Sequence, residues 1–272
     1  MNKTRKFITL FVLLLMATVN NLTAQFSGGS GTEQDPYLIS NVDDLQELSD
    51  SVNTTPANVN IFTYEYRDNW SRGKYFMLTN DIIEDSVKKP IGGGSGMLFQ
   101  GVFDGNNKSI NLAMDGHGLF FYLGPSAIVK NLILRGYVKR SGGTVSSLGR
   151  AMSIREDDGE IRISNVINLA NISGITNIAG IILFSQYNLN ENTTRCIVEN
   201  CINYGLIEGA GGIGGITGIA RYMTIKNCLN FGVLIKTGHP IDNRIGCISY
   251  LVLPSTTVIN CHYDKQMCGG DD

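Results

Sequence analysis

The sequence predicts an all-β solenoid, a stack of coils made of short strands, with one helix lying across its first end. Three observations carry that expectation. The stretch VENCINYG at 198–205 returns 27 positions later as IKNCLNFG, and looser copies stand on either side. Glycine supplies 32 of the 272 residues while proline supplies 6 and charged residues only 17%. Such a chain has apolar surface to bury but few long helix-forming stretches, which suits short strands joined at glycine corners. One segment alone, just after residue 40, carries a helical stripe.

The elements follow in order. Lys3, Arg5 and Lys6 precede an apolar run from Phe7 to Val19 broken only by two threonines, and Leu22-Thr23-Ala24-Gln25 follows as a small-residue exit. Residues 1–25 therefore read as a secretory signal cut near Gln25, too short to span a bilayer comfortably. The expected mature chain is exported to the periplasm, cell surface or extracellular space, and it holds no later run apolar enough for a membrane span. Residues 26–115 are assigned to an N-terminal cap and the first coils. Within them Tyr37 to Ile39 reads as a strand, Asn41 as a helix cap, and Asp43 and Asp44 as first-turn acids favoured by the helix dipole. Val42, Leu45, Leu48 and Val52 form the stripe, which should cover the open edge of the first coil. The polar, aromatic stretch 53–72 has no period and is expected to be an exposed insertion. Strands at 75–79 and 98–103 follow, the second turning through Asp104-Gly105-Asn106-Asn107 into 109–114.

Residues 116–272 are the repeat region. VKNLILRG (129–136), ISNVINLA (163–170), VENCINYG, IKNCLNFG and VINC (258–261) align Leu132, Val166, Cys201, Cys228 and Cys261, spaced 34, 35, 27 and 33 residues apart. A second recurring piece begins at His117, Ala179, Gly214 and Gly246. A period of this length without a helix pattern means coils made of strands, and stacking places equivalent residues in ladders. The aligned column is read as an interior ladder. Asn131, Asn165, Asn200 and Asn227 are read as corner residues, because asparagine tolerates the left-handed conformation and can bond nearby backbone groups.

These segments, GSGTEQDPYLISNVDDLQELSDSVN, GKYFMLTNDI, FQGVFDGNNKSI, GLFFYL and IVKNLIL in that order, resemble exported β-helix proteins with GLUG-type repeats common in Bacteroidota. The resemblance implies a right-handed parallel β-helix with an N-terminal capping region, and it transfers no catalytic residues. The ending INCHYDKQMC resembles a segment that runs on into further domains in relatives, so the repeat region reads as a short or truncated version. Asp50-Ser51-Val52 and Asp85-Ser86-Val87 resemble the acceptor at which that group attaches O-glycans, making Ser51 and Ser86 candidate sites.

Charge and reactive residues narrow the function. Net charge is −2, and −5 once the signal's three bases are removed, with no clustered basic face for nucleic acid. Cys201, Cys228 and Cys261 are better read as small buried hydrophobes than as disulfide or metal partners, because parallel neighbours in register give strained bridges. His117, His239 and His262 are scattered, and no spacing gives one a catalytic partner. A lyase or glycosidase site would need acids at equivalent outward positions; Lys130, Ser164, Glu199 and Lys226 form a mixed column instead. Asp104 and Asn106 lack the further acidic ligands of a calcium shell. No cofactor or metal is expected. The function read from these features is a non-catalytic secreted or cell-surface module, adhesin-like or structural, presenting a face to glycan or protein partners. The alternatives are a carbohydrate-active enzyme on the same scaffold, and an accessory region of a larger surface protein or protease.

Overall fold

The computed structural model describes residues 26–54, 69–93, 97–153, 159–186, 196–238 and 244–268. The expected signal and its cut at Gln25, His239, the polar stretch 187–194 and residues 155–158 of the acidic stretch lie outside them.

Among the described residues the chain is mostly β, arranged in three parallel sheets, with one α-helix, α1 (Val42–Thr54). In the longest sheet Tyr37–Ile39, Tyr75–Leu78, Val102–Asp115, Ile128–Lys139, Ile161–Asn168, Cys196–Glu199, Met223–Lys226 and Thr257–Ile259 lie side by side in chain order. Two four-stranded sheets repeat that order, one from Val145–Ser146 to Ile245–Gly246 and one from Gly149–Ser153 to Ser249–Val252. Each strand thus pairs with its counterpart one period away. Parallel strands need a long connection between them, and here the rest of the period supplies it.

Register fixes the interior. Val129, Ile163, Val198, Ile225 and Val258 follow one another across the long sheet, the first four fully buried. Leu132 pairs with Val166, and the pairings Ile167 to Ile202 to Leu229 to His262 put Val166, Cys201, Cys228 and Cys261 in one file. Leu132, Val166, Cys201 and Cys228 are completely buried, whereas Cys261 is half-buried because no further strand lies over it among the described residues. Each thiol of the file donates to the carbonyl two residues back: Cys201 to Glu199, Cys228 to Lys226 and Cys261 to Ile259, each at 3.3 Å.

Asn131, Asn165, Asn200 and Asn227 adopt φ near +54°, and Asn260 joins them at +51°. Their amides bond one another rather than the backbone groups expected from sequence: Asn165 donates to Asn131 at 2.9 Å, Asn227 to Asn200 at 3.2 Å and Asn260 to Asn227 at 2.9 Å. Asn131 in turn donates to Asp104 Oδ1 at 3.0 Å. Asp104 therefore begins this amide ladder. The segment Asp104 to Asn107 is not a turn between two strands but a bulge within the continuous strand Val102–Asp115, with Asn106 and Asn107 left-handed.

A second ladder runs inside. Asn168, Asn203 and Asn230 have no exposed surface, and Asn168 donates to Asn203, and Asn203 to Asn230, at 2.7 Å each. Each Oδ1 also accepts the backbone N–H two residues on, at Ala170, Gly205 and Gly232. The glycine after the aromatic residue has a steric cause here: a Cβ on Gly205 would lie 2.0 Å from the Ala170 carbonyl oxygen, and one on Gly232 2.2 Å from that of Gly205.

Helix α1 begins where expected. Asn41 Oδ1 accepts from Asp44 N–H at 2.9 Å, and the Asp44 carboxylate accepts from Ser27 Oγ at 2.7 Å and Ser40 N–H at 2.8 Å. Leu45, Leu48 and Val52 are buried and Val42 packs on the same core. The stretch after the helix is less exposed than its polarity suggests. Asn69 and Ser71 are buried, because Asn69 Nδ2 donates to Val52 O at 3.0 Å and Gln100 Oε1 accepts from Asn69 N–H at 2.6 Å. Trp70 stacks with Phe26 and Tyr37, whose ring centroids lie 6.4 and 6.0 Å away. Residues 55–68 of that stretch lie outside the described residues.

Candidate binding face

Strand alternation sets the outward columns. Val138, Ile172, Ile207 and Leu234 form a buried file by register, so the residues on either side of each point outward. One outward column is Tyr137, Asn171, Leu206 and Val233, and the other is Lys139, Ser173, Glu208 and Ile235. Tyr204 and Phe231, the aromatic residues of the repeated motif, flank them. Their rings stack at 5.5 Å with planes 20° apart, yet they are 50% and 40% exposed. Tyr137 is 39% exposed and carries Lys139 Nζ 5.0 Å above its ring centre.

Two hollows open on this face. A shallow one of about 280 Å³ is lined by Tyr137, Lys139, Asn171, Ser173, Leu206 and Glu208, with the backs of Val138 and Ile172 as its floor. A wider cleft of about 900 Å³ lies between the Asp115–His117 bend and the Lys139–Gly142 bend. Lys139 and Ser173 line both. Lys139 Nζ sits 3.2 Å from Asp115 Oδ1. Burial first, and then the neighbouring charges of Arg140 and Arg150, pull the His117 imidazole down to about 4, so it is neutral near pH 7.

Away from this face Glu199 and Asp104 are ion-paired. Glu199 accepts from Lys226 and Arg162 at 2.8 Å each, and these hydrogen bonds hold its carboxyl below the usual range and Arg162 above it. Lys130 lies 3.2 Å from Asp104. The outward column of Lys130, Ser164, Glu199 and Lys226 is thus an ion-paired surface. Asp115 and Glu208, the carboxylates of the binding face, line different hollows. The thiols suit a packing role: burial raises Cys196, its hydrogen bond with Cys201 raises Cys228 to about 12, and a hydrogen bond with Cys228 raises Cys261. A protonated thiol is a poor nucleophile. Cys247 and Cys268 are joined in a disulfide, a pairing outside the expected ladder that ties the terminal 3-10 turn Lys265–Cys268 to the last period.

Of the remaining expected sites, Ser51 is corrected. It is 8% exposed on the core side of α1, so its hydroxyl is out of reach of a glycosyl donor in the folded chain. Ser86 is half-buried and accepts from Asn111 Nδ2 at 3.0 Å. His262 is exposed, its ring 3.3 Å from Asn260 Oδ1. Among the described residues no group of three or more His, Cys, Asp or Glu could hold a metal ion, and no helix is long and apolar enough to cross a membrane.

No family model matches the chain. It is 30% identical to halomucin of Haloquadratum walsbyi over 130 residues, which is 42% of this chain and 1% of that protein. In fold it resembles the crystal structure of a candidate immunoglobulin A1 protease from Bacteroides ovatus, with a TM-score of 0.54 and 16% identity over 89% of this chain and 79% of that one.

Proposed function

We propose that the chain is a right-handed parallel β-helix whose α1 closes its first turn, and that it serves as a non-catalytic, exported, adhesin-like module binding glycans. Support for the β-helix comes from three parallel sheets in which each strand pairs, in register, with its counterpart one period away. Support for export comes from the apolar N-terminal run and its small-residue exit.

The observation that carries the binding reading is the exposed stack of Tyr204 on Phe231. Exposed aromatic rings lose apolar contact to water, and the C–H face of a sugar ring restores it while its hydroxyls need hydrogen-bonding neighbours. Asn171, Ser173, Lys139 and Glu208 offer such groups around the exposed ring of Tyr137 in a hollow of the same face. A glycosidase would need two acid groups across one bond. Glu199 is held by Arg162 and Lys226, and Asp115 by Lys139, which favours binding over turnover.

The test is a glycan array probed with the chain from Phe26 onward and with the Tyr204→Ala/Phe231→Ala double variant. Wild type should bind a defined glycan subset, and the variant should lose about tenfold or more in affinity, each lost ring contact contributing roughly 0.5–1.5 kcal/mol. Equal binding by the two proteins would reject this face.

A further inference from the structure

We infer that the glycan held on this face is acidic, with a sugar ring against Tyr137 and a carboxylate or sulfate group in the cleft beside Arg140; the inference rests on the binding reading above.

Arg140 follows the long-sheet strand Ile128–Lys139 and Arg150 lies in the strand Gly149–Ser153, yet they meet at Thr144. Arg140 NH1 donates to the Thr144 carbonyl at 2.9 Å, and Arg150 donates to Thr144 Oγ1 and, at 3.2 Å, to the Tyr122 hydroxyl. Neither forms an ion pair with a carboxylate among the described residues, unlike Arg162, Lys130, Lys139 and Lys226. A guanidinium carries five donors, so most of those on Arg140 stay unused by the protein. Burial and the adjacent Arg150 charge hold Arg140 below its ordinary value, a cost that an arriving anion relieves. The same two arginines help keep His117 neutral at the other wall of the cleft. Asp115, the one acid lining the cleft, is engaged by Lys139.

The shape agrees with the charge. The cleft of about 900 Å³ has room for a sugar residue, and Gly142 on its rim has nothing within 4 Å of where a Cβ would stand. Lys139 and Ser173 line both this cleft and the Tyr137 hollow, so one extended ligand can occupy the two together. A carboxylate or sulfate presents a planar or tetrahedral set of oxygens that an arginine can hold through two parallel N–H donors.

Two measurements separate this inference from the reading beneath it. Inorganic sulfate titrated into the ¹⁵N-labelled protein should move the Arg140 Nε and His117 ring signals with saturation, and Arg140→Gln should abolish the movement. On the array, uronate-bearing or sulfated glycans should bind about tenfold or more tighter than their neutral counterparts, the worth of one charge-assisted pair. Arg140→Gln, its fold checked by thermal unfolding, should erase that preference, and Arg150→Gln should weaken it. Equal binding of acidic and neutral glycans, with sulfate leaving Arg140 unmoved, overturns the acidic ligand and leaves the aromatic face standing. If no glycan binds, the face itself fails and the acidic-saccharide assignment falls with it.

Discussion

The first and the last described strands of the long sheet are built from the same strand chemistry and covered differently. At the first end the long sheet stops at Tyr37–Ile39, and α1 brings Leu45, Leu48 and Val52 over it while Phe26, Tyr37, Trp70 and Phe76 cluster alongside. Among the described residues Thr257–Ile259 and His262–Tyr263 each pair on one side only, and Val258, Ile259 and Tyr263 are 41%, 50% and 51% exposed. An open parallel edge is a template for pairing. The middle periods need no such helix, since each is covered on both sides by its neighbours.

Substitutions at the two ends and between them sharpen that contrast. Leu48→Ala at the covered end should cost about 2–5 kcal/mol in equilibrium denaturation, as a fully buried leucine that leaves a cavity. Asn203→Ala in the middle takes the acceptor of the Gly205 N–H and one partner each from the Asn168 amide and the Asn230 Oδ1, and should cost about 1–3 kcal/mol by the same measurement. Cys228→Val keeps the apolar volume of the file and should cost under about 1.5 kcal/mol. The complementary test is thiol labelling: Cys201 and Cys228 should react only after unfolding, whereas half-buried Cys261 should react sooner.

A pH series probes the middle in a different way. The folded His117 titrates near 4 against 6.5 in a model peptide, so the unfolded chain binds the extra proton first as pH falls. Its contribution to stability is complete above about 6.5 and declines through the window down to about 4. His117→Asn should flatten that part of the stability curve, by less than the full shift implies because the ring is only half-buried. The smallest effect belongs to the last described strand of the long sheet, where Ile259→Thr should stay within about 0.5 kcal/mol, a change that would be impossible at Leu48.

The period was legible because it rests on local requirements. A corner that needs left-handed φ selects asparagine at each turn, so Asn131, Asn165, Asn200 and Asn227 announced themselves, and the cysteine file followed from the spacing. The inner amides Asn168, Asn203 and Asn230 stood in the same quoted repeats, but a second asparagine among apolar residues carries no mark of whether it points in or out. The same holds for Tyr204 and Phe231: the repeated aromatic before glycine was the available signal for the binding face. Arg140 and Arg150 had none, since they meet only at Thr144. Nor did the Cys247–Cys268 pairing, which depends on how the terminal turn folds back. Ser51 misled because a three-residue motif ignores which side of a helix it occupies.

The central claim is binding without turnover on the Tyr137, Tyr204 and Phe231 face. It is tested most directly by titrating the chain calorimetrically with an array-selected oligosaccharide and then taking the mass of the recovered sugar. The account predicts saturable binding that is lost in the Tyr204→Ala/Phe231→Ala variant, with the sugar returned intact. Shortened or unsaturated sugar products, or binding untouched by that variant, would contradict it.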